Sequence, residues 1–198
     1  MKLGQRISVV LLLLVSISCS RSQSQTHASE AHPVELELQV SLPFRFVAYG
    51  DTRFTDPNDM EASNPAIRRA LVQAIADVHP AFVSIGGDIS YNGYNKGDWK
   101  IWDSETQVWR DHKIPVYPAL GNHDLHEPQN AALANYFERF PDLKNSRYYS
   151  VRAANTLMLV LDSSLTETSG PQGEWLAQKL DSIPSDVDFI FLVLHHPP

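Results

Sequence analysis

Cysteine is nearly missing from the 198-residue chain, with Cys19 the only one. No intramolecular disulfide can form, so the fold must be held by its core or by bound metal. Long apolar runs are missing too. Residues 7–17 are apolar or small throughout, but this run falls well short of the ~20 residues a membrane-spanning helix needs. Positive charge is scarce: 16 Lys and Arg stand against 23 Asp and Glu, a formal net charge of −7. That balance argues against an electrostatic grip on a nucleic-acid backbone. No internal repeat is visible. What remains, 43% hydrophobic and 20% charged residues, is the composition of one globular domain with a sizeable core.

The short apolar run has a role of its own. Lys2 and Arg6 precede it as a positive n-region, so residues 1–19 read as a signal peptide. Ser16-Ile17-Ser18-Cys19 closes the run and resembles a bacterial lipobox, with Ser16 where the pattern usually has leucine. The expectation is a lipoprotein-type signal and membrane attachment through a lipidated Cys19; the alternative is an ordinary signal peptide with a chance cysteine. Residues 20–33 carry almost no apolar side chains and read as a flexible tether. The folded domain is expected over 34–198, exported to a bacterial periplasm or cell surface. Loss of Lys2 and Arg6 with the signal takes the formal charge from −7 to about −9.

From there the chain alternates short apolar runs with helical patterns, the mark of an α/β architecture. Strands are expected over 44–49, 81–85, 114–120, 148–151, 156–161 and 189–194. Asn64-Pro65 is a cap and first-turn pair, after which Ile67, Leu71, Ile75 and Val78 recur at helical spacing until Pro80. A helix over 96–110 sets Trp99, Trp102 and Trp109 on one side, packed on the sheet. Further helices are expected over 131–140 and 173–180.

Four segments share one grammar: an apolar strand, often a glycine, then a side chain able to bind metal. Asp51, Asp88, Asn122 and His195 all follow it. Ligands that follow the C-terminal ends of neighbouring strands gather in one crevice, and glycine lets the chain turn sharply just before each. Carboxylates bridge two metals while imidazole and amide oxygen complete their separate spheres. Asp88, central in the series, is the natural bridge. His27, His32, His79, His112 and His126 lack the strand-end setting and read as surface residues or caps.

Gly50-Asp51, Gly87-Asp88, Gly121-Asn122-His123-Asp124 and the His195 segment together resemble the successive motifs of the calcineurin-like metallophosphoesterases. Gln172, Trp175 and Leu176 resemble the Gln-x-x-Trp-Leu helix often found before the histidine strand of that family. The resemblance implies two packed mixed β-sheets flanked by helices, and hydrolysis of phosphate esters by a dinuclear metal site using a metal-activated water. It also implies that His123 acts as general acid, with Asp124 orienting it. Where most of that superfamily has Asp-x-His, Asp51-Thr52-Arg53 has arginine. Gly87-Asp88-Ile89-Ser90-Tyr91 in turn resembles the Gly-Asp-x-x-Tyr motif of purple acid phosphatases, where a tyrosinate fills that histidine's place. Tyr91 is thus a candidate ligand favouring a ferric ion, or else a packing aromatic. Arg53 is either a contact to substrate phosphate or a surface ion pair. The implied cofactors are two metal ions, Fe with Zn, Mn or Fe, and the implied partner is a small phosphate ester. A catalytically inactive phosphate- or metal-binding surface lipoprotein is the alternative reading.

The family's final Gly-His-x-His motif does not follow His195-His196-Pro197-Pro198, so the domain is expected to be incomplete at its C-terminus. His195 fits the ligand position, and His196 is expected behind the site. Mass spectrometry of the mature N-terminus tests the leader: a diacylated Cys19 is expected from a bacterial host, and cleavage beyond Cys19 without lipid rules the anchor out.

Overall fold

A computed structural model describes residues 33–165 and 170–197. The expected leader, Cys19 and the tether through residue 32 lie outside the described residues. Seven strands are described: β1 (Val34–Leu38), β2 (Val47–Tyr49), β3 (Val83–Ile85), β4 (Val116–Pro118), β5 (Tyr149–Ala153), β6 (Thr156–Val160) and β7 (Phe189–Val193). Five helices join them: α1 (Pro65–Asp77), α2 (Lys96–Glu105), α3 (Gln107–Asp111), α4 (Gln129–Arg139) and α5 (Pro171–Asp181). Two sheets result. One is mixed, in the order β1-β5-β6-β7, with only the β5–β6 pair antiparallel; the other, β2-β3-β4, is parallel. This is the two-sheet α/β arrangement expected from the sequence.

Both sheets contribute to one core. Val83 and Ile85 of the parallel sheet are buried in the same cluster as Tyr149, Val151, Met158 and Val160 of the mixed sheet. The Tyr149 hydroxyl crosses the core to donate to the Pro118 carbonyl at 2.8 Å, as does that of Tyr136 from α4. Strand β1 was not foreseen, although Val34, Leu36 and Leu38 alternate with more exposed Glu35 and Glu37 as a half-buried strand does. Residues 44–46, expected as strand, instead seat Phe44 and Phe46 on Phe82, with ring centroids 6.3 and 4.8 Å away.

Helix α1 starts as its sequence dictates: the Asn64 side chain accepts from the Ile67 N–H at 3.2 Å and Pro65 occupies the first turn. Its buried face, however, is Pro65, Arg68, Val72, Ile75 and Ala76, while Ile67, Leu71 and Val78 are exposed. Hydrophobic periodicity misplaced the face because a charged residue lies inside. Arg68 is buried against Glu105, with guanidinium bonds of 2.8 and 2.9 Å, a third bond of 2.6 Å to Ser63 and the Phe54 ring 4.7 Å away.

The single helix expected over 96–110 breaks at Thr106, whose hydroxyl donates to the Trp102 carbonyl at 2.6 Å. All three tryptophans are buried. Trp109 meets Tyr49 of β2 edge-on, and Trp102 meets Phe54, but Trp99 turns to Tyr136 of α4 and donates its indole N–H to the Gly93 carbonyl. The Gln172 side chain exchanges bonds of 2.8 and 3.1 Å with the backbone of Asp162, and Trp175 packs on Tyr148, which fixes α5 beside the end of β6.

Arg68→Ala removes the two-point partner of the buried Glu105 carboxylate, leaving it only the longer 3.4 Å contact to the exposed Arg69, and is expected to cost about 3–5 kcal/mol in urea unfolding. A loss below about 1 kcal/mol would show that the pair is not desolvated as described.

Candidate metal centre

Parallel pairing brings the C-terminal ends of β2, β3 and β4 to one edge, with Tyr49, Ile85 and Pro118 in register. The loops beyond them stay hydrogen-bonded. Asp51 N donates to Gly87 O (3.1 Å), Arg53 N to Asp88 O (2.9 Å) and Phe54 N to Ile89 O (2.7 Å). The path needs a tight fit. Gly87 has φ of +90°, and a Cβ there would sit 2.8 Å from His195 Nδ1; a Cβ on Gly121 would collide with the Asp88 backbone and carboxylate. Asp51, Arg53 and Asp88 themselves adopt left-handed φ of 53°, 44° and 53°, conformations that cost a non-glycine residue about 1–3 kcal/mol and collect at functional sites.

Donor atoms of Asp51, Asp88 and His195 all lie within 4.8 Å of one another. His195 Nδ1 donates to the Gly86 carbonyl at 2.9 Å, which fixes the ring and turns Nε2 toward the cluster. Nε2 lies 3.0 Å from Asn122 Oδ1 and 3.3 Å from Asp88 Oδ1. An imidazole nitrogen, an amide oxygen and a carboxylate oxygen thus converge on one spot. Carboxylate, amide oxygen and imidazole are the donor types that hold divalent and trivalent ions, so the residues fit a metal. His196, with its N–H and Nδ1 on the Ser163 hydroxyl, stands outside the cluster.

Asp88 is fully buried and receives more than these contacts. Its Oδ1 accepts the His123 N–H at 3.0 Å, and its Oδ2 accepts Nε of Arg53, with Nη2 also 3.1 Å away. Arg53 therefore pairs with the central carboxylate, not with a surface acid. His123 Nδ1 donates to the Tyr91 carbonyl at 2.6 Å, its ring lies 5.2 Å from that of Tyr91, and its Nε2 is 3.9 Å from Asp88 Oδ2.

Asp124 corrects the sequence reading. Its carboxylate does not orient the His123 ring, a task that falls to the Tyr91 carbonyl. It turns inward and accepts the backbone N–H groups of Ile89, Ser90 and Gly121 at 3.0–3.2 Å, fastening the loop after β4 to the loop after β3. Complete burial pushes its pKa up to about 6, against the lowering effect of those three donors.

Two residues escaped sequence reading. His126 is a cap, as one of the sequence readings had it, closing the short turn over His123–Leu125 with its N–H on the His123 carbonyl at 3.3 Å, but its ring does more: it lies 4.5 Å from that of His123, its Nδ1 is 3.0 Å from Asn92 Oδ1, and desolvation followed by the His123 charge lowers its pKa. The one available signal was its place three residues beyond His123, one short turn away. Asp98, buried in the first turn of α2, accepts from the Thr55 hydroxyl (3.0 Å), Asn95 Nδ2 (3.1 Å) and the Asn92 N–H (2.9 Å). It joins the loop after Asp51 to the loop after Asp88, and desolvation raises its pKa. No local pattern announces that.

Two sheets with a donor cluster at their strand ends that could hold a cation make this an α/β protein with a candidate metal site. The family model described as Metallophos, calcineurin-like phosphoesterase, matches residues 44–198, and the chain belongs to that family. Among solved structures it is similar to a purple acid phosphatase from yellow lupin (Lupinus luteus) seeds, with a TM-score of 0.58 and 13% identity over 75% of this chain and 29% of that one. It is also similar to a dimetal phosphatase from Danio rerio, with a TM-score of 0.46 and 17% identity over 69% of this chain and 52% of that one. The chain thus spans less than two thirds of either protein's length. No curated protein sequence matches it.

Asp124→Asn replaces an acceptor of three N–H groups with an amide that has one acceptor oxygen and brings N–H donors of its own. A loss of about 1–3 kcal/mol in urea unfolding is expected, and unchanged stability would show that the two loops do not depend on this clamp.

Proposed function

We propose that the chain hydrolyses small phosphate esters at a dinuclear metal centre held by Asp51, Asp88, Tyr91, Asn122 and His195. The observation that carries the reading is the convergence of Asp88, Asn122 and His195 side chains beside Asp51, at the strand ends of a calcineurin-like phosphoesterase fold. Asp88 would be the ligand shared by the two ions, and Tyr91 would supply a phenolate to the site that includes Asp51. Iron paired with zinc, manganese or a second iron suits that mixture of donors. When bound, the ions supply positive charge that polarises the phosphoryl group and acidifies the attacking water.

The remaining work falls to the chain. Arg53 keeps Nε and Nη2 near Asp88 and turns its remaining N–H groups to the phosphoryl oxygens, a geometry its planar fork allows and a lysine's does not. His123 delivers a proton from Nε2 to the departing oxygen; its Nδ1 bond to the Tyr91 carbonyl prevents the ring from turning away. Asp124 takes no part in proton transfer. A formal charge of −7 favours a small ester over a nucleic-acid backbone.

Metal analysis, turnover and visible spectra on iron-loaded protein test this together. Asp88→Ala is expected to lose metal, whereas His123→Ala keeps it and turns over roughly 10²- to 10⁴-fold more slowly. Tyr91→Phe is expected to abolish a violet phenolate-to-iron band while leaving the fold intact. Metal loss in His123→Ala, or a band that survives in Tyr91→Phe, would overturn the corresponding role.

A further inference from the structure

His123 and His126 form a matched pair. Both rings are held through Nδ1 by consecutive residues of the loop after β3, His123 by the Tyr91 carbonyl at 2.6 Å and His126 by the Asn92 side-chain oxygen at 3.0 Å. The anchors are themselves fixed: Tyr91 N–H donates to Phe54 O at 3.1 Å, Asn92 N–H to Asp98 at 2.9 Å, and Gly93 N–H to His123 O at 2.9 Å. An amide oxygen only accepts, so Nδ1 of His126 carries hydrogen and Nε2 of the neutral ring is an acceptor. Desolvation favours that neutral form. Among the described residues no protein group takes this Nε2.

The two rings are 4.5 Å apart, so if His123 faces the departing oxygen, as proposed above, His126 holds a fixed acceptor within reach of the rest of the leaving group. We infer that His126 is a specificity residue of this site, accepting through Nε2 a hydrogen bond from a hydroxyl of the leaving alcohol, so that esters of polyhydroxy alcohols are preferred. The inference rests on the phosphoesterase reading and adds to it a substrate class.

The test compares glycerol 2-phosphate with isopropyl phosphate, which has the same carbon skeleton without hydroxyls, on the metal-loaded full chain, with p-nitrophenyl phosphate as control. For the wild type, kcat/KM for the glycerol ester is expected to exceed that for the isopropyl ester about three- to tenfold, the worth of one net hydrogen bond, mainly through KM. In His126→Phe, which keeps a flat ring beside His123, the ratio is expected to fall to about one. Asn92→Ala, which keeps the imidazole but frees it, is expected to lower the ratio part of the way. Each ratio is taken within one preparation, so a partly folded variant still reports. A wild-type ratio near one, a ratio that survives in His126→Phe, or turnover of p-nitrophenyl phosphate alone overturns the role of His126 and leaves the phosphoesterase reading standing. Failure to hydrolyse all three esters overturns both.

Discussion

The close approach of the strand-end loops around the Asp88 carboxylate is the constraint on which the rest of the structure depends. Gly87 and Gly121 stand where any side chain would strike His195 or Asp88. With those side chains missing, the His195 ring comes within 3.3 Å of polar atoms of both Asp88 and Asn122, the close grouping that makes this a candidate metal site. The left-handed conformations of Asp51, Arg53 and Asp88 belong to the same geometry, since strained backbone persists only where its surroundings over-determine it.

Two buried carboxylates supply that over-determination. Asp124 gathers N–H groups from the loops after β3 and β4, and Asp98 ties the loops after β2 and β3 to the start of α2. Neither needs to touch a ligand. Each converts the desolvation cost of a buried charge into a fixed relation between segments far apart in sequence, as buried hydrogen-bonded networks do. The Arg68–Glu105 pair acts likewise one layer out, holding α1 and α2 beside the loop that carries Arg53. The same rigidity reaches His123 and His126, whose rings are each held through Nδ1 by the loop after β3.

Much of the fold was legible wherever local pattern and tertiary role coincide. The run of apolar strands, the Asn64-Pro65 start of α1 and the strand-then-ligand order of Asp51, Asp88, Asn122 and His195 are all local features, and the structure gathers those four residues as the order implied. Legibility failed where a distant partner overrides the local rule. Arg68 faces inward because Glu105 and Ser63 wait for it, so the apolar stripe of α1 is turned from where Ile67 and Leu71 would put it. His126 looked like any surface histidine because its anchor, Asn92, lies on another loop.

The sequence by itself determined the α/β class, the order of the candidate ligands and the family, because strand propensity, helix caps and glycine-flanked motifs act over a few residues. Only the tertiary structure decided which way Asp124 turns, which nitrogen His195 turns to the cluster, and that Arg53 forks onto Asp88. Those choices are made by hydrogen bonds between loops dozens of residues apart. A carboxylate or an imidazole carries no local mark of the partner that will satisfy it.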